Sequence, residues 1–145
     1  MPIPTTISTC TPETEQGKHV FRIVGYSQQR VLRGMFIRSA IFTVGGHGWV
    51  VSLCPEMIDK VFDADWVLVS FMFMGTSEVR ASFELKFVDQ CTGVSFSVHK
   101  EAPMTFSPNC RSKTVLLKKR SVFESPNYLR DDCLTIECVV AVTNG

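Results

Sequence analysis

Residues 80–89 have the sequence RASFELKFVD, in which polar and apolar side chains alternate. Phe83, Leu85 and Phe87 fall on one side of an extended chain, and Ser82, Glu84 and Lys86, which alternate with them, fall on the other. This period of two predicts a half-exposed strand of an antiparallel sheet. Just before it, residues 66–74 (WVLVSFMFM) are almost entirely apolar, which predicts a central strand buried on both faces.

Short segments with strand character occur along most of the chain and are separated by turn residues. They are residues 19–23, 36–44, 49–53, 66–74, 80–89, 94–98, 104–106 and 134–142. This spacing predicts an all-β fold, an eight-stranded antiparallel β-sandwich, and the glycine-rich residues 45–48 are predicted to form a hairpin turn in it. One short helix is predicted near residues 115–123.

Length and composition favour one globular domain. The chain has 145 residues and is 45% hydrophobic, which is enough for a core, while its formal net charge of +1 favours neither nucleic acid nor a membrane surface. No apolar run approaches the roughly 18 residues of a membrane helix. Residues 1–16 are predicted to be a flexible N-terminal tail without the features of a secretory signal. We therefore expect the protein in the cytoplasm and/or the nucleus.

The residue types of catalytic and metal sites are present but scattered. The six cysteines form no C-x-x-C pair, and inside the cell we expect them to be reduced thiols: Cys10, Cys54, Cys91, Cys110, Cys133 and Cys138. The three histidines stand apart from one another, and the adjacent Asp131 and Asp132 are predicted to bond backbone N–H groups in a turn. We therefore predict no metal, no cofactor and no catalytic residues, and a hydrolase remains only as a minor alternative.

A local run of basic residues stands out from the balanced total charge. It contains no acidic residue and consists of Arg111, Lys113, Lys118, Lys119 and Arg120. A solvated face is one interpretation. The other is a docking edge, for which an acidic or phosphorylated peptide is favoured over nucleic acid because the run has no interleaved aromatic side chains to stack on bases.

Several stretches together resemble a known family. They are GKHVFRIVGYS (residues 17–27), FIRSAIFTVGG (residues 36–46) with Trp49, EVRASF (residues 78–83) and YLRDDCLTI (residues 128–136). In this order they resemble the MATH domain (meprin and TRAF homology), most of all in plant, especially grass, BTB/POZ–MATH proteins. The resemblance covers residues 17–143 and does not include a BTB domain.

The resemblance implies a β-sandwich without enzymatic activity. It implies that a shallow groove on one sheet takes an extended, Ser/Thr-rich peptide from a substrate protein, which suits the way strands bind peptides. The basic run adds an acidic peptide as a candidate ligand. A BTB domain, where present, then recruits a cullin-type ubiquitin ligase. Other implied properties are possible contact with BTB–MATH paralogues, no nucleic-acid or membrane partner, and a monomeric state without the BTB domain.

The implied groove departs from the family pattern. Ser112-Lys113-Thr114 stands where the family has Trp-Gly-Phe, Ser70 stands where a tyrosine is expected on the central strand, and Met104 stands where an animal relative has tyrosine. The groove residues implied by the resemblance are Ser70, Phe83, Met104, Phe106, Arg111, Ser112, Lys113 and Thr114. Losing aromatic anchors should weaken binding. Because the sequence also ends at Gly145, a stand-alone regulatory or competitor domain is the alternative expectation.

Overall fold

Extended strands make up most of the chain, as its alternating patterns predict. The computed structural model describes residues 3–10, 13–30, 35–55 and 66–144. Within these ranges, nine strands and two short helices follow in this order: β1 (Glu13–Val24), α1 (Tyr26–Arg30), β2 (Ile37–Arg38), β3 (Phe42–Val44), β4 (His47–Cys54), β5 (Trp66–Phe73), β6 (Val79–Val88), β7 (Ser95–Phe106), β8 (Ser112–Lys119), α2 (Arg120–Phe123) and β9 (Cys133–Asn144). Neither helix is long and apolar enough to span a membrane.

The strands form two antiparallel sheets that pack face to face as a β-sandwich. The first sheet has the order β1-β9-β6-β7, and the second has the order β2-β4-β5-β8, with β3 also paired to β4. In β6 the alternation is as predicted, because Phe83, Leu85 and Phe87 are buried while the residues between them are partly exposed. The all-β sandwich prediction is confirmed.

Aromatic rings join the two sheets in the core. Trp49 of β4 stacks on Phe71 of β5 with ring centroids 5.0 Å apart, and Phe71 stacks across the sandwich on Phe83 of β6 at 4.3 Å. Phe106 of β7 meets the ring of Trp49 edge-on. The buried Trp49 Nε1 donates a hydrogen bond to the Val44 carbonyl at 3.1 Å, so burying this polar group leaves it satisfied.

The hairpin between β3 and β4 forms at the predicted glycines. Gly45 and Gly46 are its two loop residues and have φ values of 64° and 76°. A two-residue turn with positive φ at both positions matches the right-handed twist of the strands it joins, and glycine adopts this backbone without steric cost.

The predicted helix near residues 115–123 is shorter than expected. Only Arg120–Phe123 is helical, whereas residues 115–119 continue strand β8. The strand extends this far because Val115 and Leu117 alternate inward and are buried, with Leu116 exposed between them. The sequence itself does not show this alternation, because Val115, Leu116 and Leu117 are all apolar, and nothing in it marks where the strand gives way to the helix.

Several strand boundaries also differ from those predicted. Strand β1 begins at Glu13, which pairs with Asn144, so regular pairing starts before the predicted domain boundary at residue 17. The predicted strands at 94–98 and 104–106 are parts of the single strand β7, and the predicted strand at 36–44 divides into β2 and β3.

The bend before β9 is held by a contact distant in sequence. Asp131 and Asp132 have positive φ values of 53° and 56°. The two carboxylate oxygens of Asp132 accept hydrogen bonds from the Ser27 backbone N–H at 2.9 Å and from its hydroxyl at 2.7 Å. The Asp132 carboxylate therefore bonds the start of α1, whereas the sequence predicted bonds within its own turn.

Candidate functional site

A polar row crosses the outer face of the second sheet. The strand register pairs Arg38 of β2 with Ser52 of β4, Ser52 with Ser70 of β5, and Ser70 with Thr114 of β8. Paired residues of neighbouring strands lie on the same face. Since strands are about 4.8 Å apart, the row extends over roughly 14 Å.

The alternation of side chains along β5 places Ser70, a member of this row, on the outer face of the sheet. In β5, Val69 and Phe71 are buried in the core, so Ser70 between them is on the opposite face. Ser52 and Ser70 are only 3% and 6% exposed to solvent. The Thr114 hydroxyl lies 3.4 Å from that of Ser70, which continues the row onto β8.

A shallow pocket lies at the β2 end of the row. It has a volume of about 230 Å³ and is lined by Phe36, Arg38, Ser52, Ser70 and Met72. Small-molecule sites usually measure about 300–1,000 Å³, so this pocket is better matched to one side chain of a larger ligand. Arg38 is exposed, and one of its guanidinium nitrogens, Nη2, lies 3.6 Å from the Met72 sulfur.

The structure brings some of the residues implied by the resemblance to this face. Ser70, Ser112 and Thr114 share it, and Ser112 is paired with Met72 at the pocket's edge. Phe83 and Phe106 do not, because they are 2% and 0% exposed in the core between the sheets. Both rings support the sheets from within, and the groove role that the resemblance implies for them stays a prediction.

The remaining implied residues lie around the margins. Met104 of β7 is partly buried against the core. Lys113 Nζ lies 3.9 Å from Glu101 Oε1, a carboxylate on the first sheet. Arg111 donates to backbone carbonyls, to that of Gly75 at 2.9 Å and that of Phe73 at 3.3 Å, so its guanidinium is engaged in holding strand ends.

The basic run does not form one continuous edge. Arg111 and Lys113 have the contacts just described, and the Arg120 Nε lies 4.0 Å from a Glu124 carboxylate oxygen. Lys118 and Lys119 are exposed at the end of β8. As neighbours on a strand they project to opposite sides.

Sequence reasoning missed the pocket residues Phe36, Arg38, Ser52 and Met72. All of them lie in segments predicted to be strands, so the alternation of side chains along a strand could have indicated that they point outward. Their proximity could not, because Arg38 and Ser52 become neighbours only through the β2–β4 register.

The described residues offer little for catalysis. No group of three or more His, Cys, Asp or Glu side chains able to hold a metal ion occurs among them. All six cysteines are free thiols. Burial raises the pKa of the Cys138 thiol to about 12, which keeps it protonated and therefore a poor nucleophile.

Comparison with known proteins points to one family. The model of the MATH domain matches residues 18–140. The chain is similar to BTB/POZ and MATH domain-containing protein 3 of Arabidopsis thaliana, with 33% identity over 157 residues that cover 99% of this chain and 38% of the relative. It is also similar to BTB/POZ and MATH domain-containing protein 6 of the same plant, with 32% identity over 151 residues that cover 94% of this chain and 35% of the relative. The chain thus spans less than two fifths of the length of these relatives.

Proposed function

The chain belongs to the MATH-domain family, whose members are protein-interaction modules, and on this basis we propose that it binds an extended peptide from a substrate protein. The outer face of the second sheet is the proposed binding surface. The observation that carries the proposal is the polar row from Arg38 to Thr114, with its pocket of single-side-chain size.

The chemistry of this face suits a Ser/Thr-rich or acidic peptide. The hydroxyls of Ser52, Ser70 and Thr114 can each donate and accept hydrogen bonds, which serves ligand hydroxyls and backbone groups. Arg38 adds a positive charge at one end. Apolar atoms of Phe36 and Met72 border the pocket and offer contact area to the stem of a bound side chain.

We further propose a place in the protein ubiquitination pathway. The relatives combine a MATH domain with a BTB/POZ domain, as their names state. In such a protein this domain would select the substrate for a cullin-based E3 ubiquitin ligase. We propose that the MATH domain is a monomer and that the protein is located in the cytoplasm and/or the nucleus, which imaging of a fluorescent fusion would test.

The binding face is tested by amide hydrogen exchange with an array of Ser/Thr-rich and acidic peptides. We expect a bound peptide to slow exchange in β5 and β8, and Ser70→Asp to abolish this protection. Ser82→Asp is the matched control, because Ser82 is partly exposed on the outer face of the first sheet, where it pairs with Ala141. Protection confined to the first sheet, or none with any peptide, would contradict the proposal.

One observation favours a second candidate, a regulatory or competitor domain with a weakened groove. The outward residues Ser70, Ser112 and Thr114 are small, so these three positions offer none of the large aromatic anchors that usually dominate binding energy. This candidate predicts that the chain co-purifies with a BTB–MATH paralogue and that Ser70→Asp leaves this association intact. Loss of the association in that variant would instead favour the peptide-binding function.

A further inference from the structure

The two sheets differ in the charges on their strands. The strands of the second sheet, β2, β3, β4, β5 and β8, contain no aspartate or glutamate. Their charged residues are the cations Arg38, Lys113, Lys118 and Lys119. The strands of the first sheet, in contrast, carry acidic and basic residues in equal number, namely Glu13, Glu15, Glu84, Glu101 and Glu137 beside Lys18, Arg22, Arg80, Lys86 and Lys100. The strands of the second sheet therefore carry a net positive charge in a chain whose total net charge is only +1.

Arg38 is the cation of this sheet that lies in the pocket. It forms no ion pair with any residue in the described ranges, and its recorded contact is the Met72 sulfur at 3.6 Å. Lys113, in contrast, lies 3.9 Å from Glu101. An unpaired guanidinium can donate two parallel hydrogen bonds to a carboxylate or a phosphate.

Two hydroxyls complete the surroundings of the guanidinium. Ser52 is directly opposite Arg38 in the register, and Ser70 follows on the next strand. The Ser52 hydroxyl makes no hydrogen bond to another residue in the part of the chain that the structure describes, so it remains available to a ligand. A hydroxyl can donate to an anionic oxygen that the guanidinium leaves unpaired.

We propose that this pocket binds one acidic side chain of the peptide, with Arg38 as the residue that determines specificity for the negative charge. The inference rests on the proposed peptide-binding function and specifies its ligand chemistry. The acidic group is a carboxylate or a phosphate. Phe36 and Met72 reduce the solvation of the bound ion pair, which strengthens its attraction relative to open water.

For a peptide that crosses the strands, the register also relates the acidic residue to the rest of the polar row. Arg38 is three strand spacings from Thr114, roughly 14 Å. An extended peptide that crosses the strands covers this distance with about four residues, at about 3.3 Å each. Side chains alternate in direction along it, so moving the acidic residue by one position turns it away from the pocket.

The test uses fluorescein-labelled ten-residue peptides of serine and threonine. Each successive position carries aspartate, glutamate or phosphoserine in turn, and binding is measured by fluorescence anisotropy. The wild-type chain, Arg38→Gln and Arg38→Lys are compared. Arg80→Gln is the control, because Arg80 is an exposed strand arginine on the first sheet.

We expect one acidic position to strengthen binding to the wild-type chain about five- to tenfold over the uncharged peptide, as for a charged hydrogen-bonded pair that is partly exposed. Arg38→Gln should remove this gain, Arg38→Lys should keep part of it, and Arg80→Gln should retain all of it. Higher salt should reduce the gain. A preference for phosphoserine over both carboxylates would identify phosphorylated substrates as the source, and the reverse order would identify acidic sequences.

Two failures can be distinguished. If uncharged peptides bind and the acidic series gains nothing, or gains equally with Arg38→Gln, the specificity assigned to Arg38 is overturned while peptide binding remains. If no peptide of the series binds the wild-type chain, both the inference and the proposed function are overturned.

Discussion

The two adjacent glycines of the β3–β4 turn allow two costs of substitution to be measured separately: the backbone strain of an alanine at positive φ, and the collision of its added Cβ with a neighbouring residue. Gly45 and Gly46 both have positive φ, so alanine at either position incurs a backbone penalty of about 1–2 kcal/mol. The space around them differs. A Cβ added at Gly45 would lie 2.7 Å from the Cβ of Val142, whereas one added at Gly46 would have no neighbour within 4 Å.

The collision adds a second cost at Gly45 alone. Val142 is fully buried on β9, so it cannot move aside without disturbing the core. Overpacking of this kind costs about 1–3 kcal/mol. We therefore expect Gly46→Ala to lower the free energy of unfolding by about 1–2 kcal/mol, and Gly45→Ala to lower it by about 2–5 kcal/mol.

Urea denaturation followed by tryptophan fluorescence measures both changes, because Trp49 is buried close to the turn. For a domain of this size, each kcal/mol corresponds to about 2–4 °C in the thermal midpoint, which gives an independent check. Equal losses in the two variants would refute the reasoning. They would mean that the hairpin does not approach β9 as closely as the structure has it.

Three further predictions concern the bend before β9, a histidine of β1 and the core. Asp132→Ala should lower the free energy of unfolding by about 1–3 kcal/mol, since it removes both hydrogen bonds to Ser27 and leaves alanine at positive φ; Asp132→Asn, which keeps an acceptor and tolerates this backbone, should lose clearly less in the same urea titration. Burial lowers the pKa of His19, so the stability that its neutral imidazole contributes is present above about pH 6.5 and is lost as the pH falls through its folded-state pKa. His19→Gln should flatten this part of a plot of unfolding free energy against pH, and an unchanged plot would contradict the lowered pKa of His19. Phe83→Ala should cost about 3–5 kcal/mol in thermal unfolding, because the ring stacks on Phe71 in the core; a loss of peptide binding with normal stability would instead mean that Phe83 contacts the ligand.

Sequence patterns predicted more of the fold than of the candidate site. The alternation in residues 80–89 correctly predicted β6, and the paired glycines correctly predicted the β3–β4 turn, because both depend on neighbouring residues. The same local logic failed at residues 115–119, where a basic, partly apolar segment fitted either a strand or a helix. Burial of Val115 and Leu117 against the core decided for the strand.

Local sequence patterns could not predict which residues form the candidate site. Phe83 was assigned to a groove by resemblance, yet its position on β6 turns the ring into the core. The sequence did not predict Arg38 as a binding residue, because no residue near it along the chain is complementary to it. Its neighbours in the pocket, Ser52 and Ser70, are contributed by two other strands.

By itself, the sequence determined the fold class, the family and the inward or outward side of most strand residues, because hydrophobic alternation acts over a few residues at a time. Only the tertiary structure decided which outward residues meet. The register of β2, β4, β5 and β8 aligned Arg38, two serines and a threonine across a face free of acidic strand residues. Register is a property of paired strands, and a shift of one residue would send every one of these side chains to the opposite face.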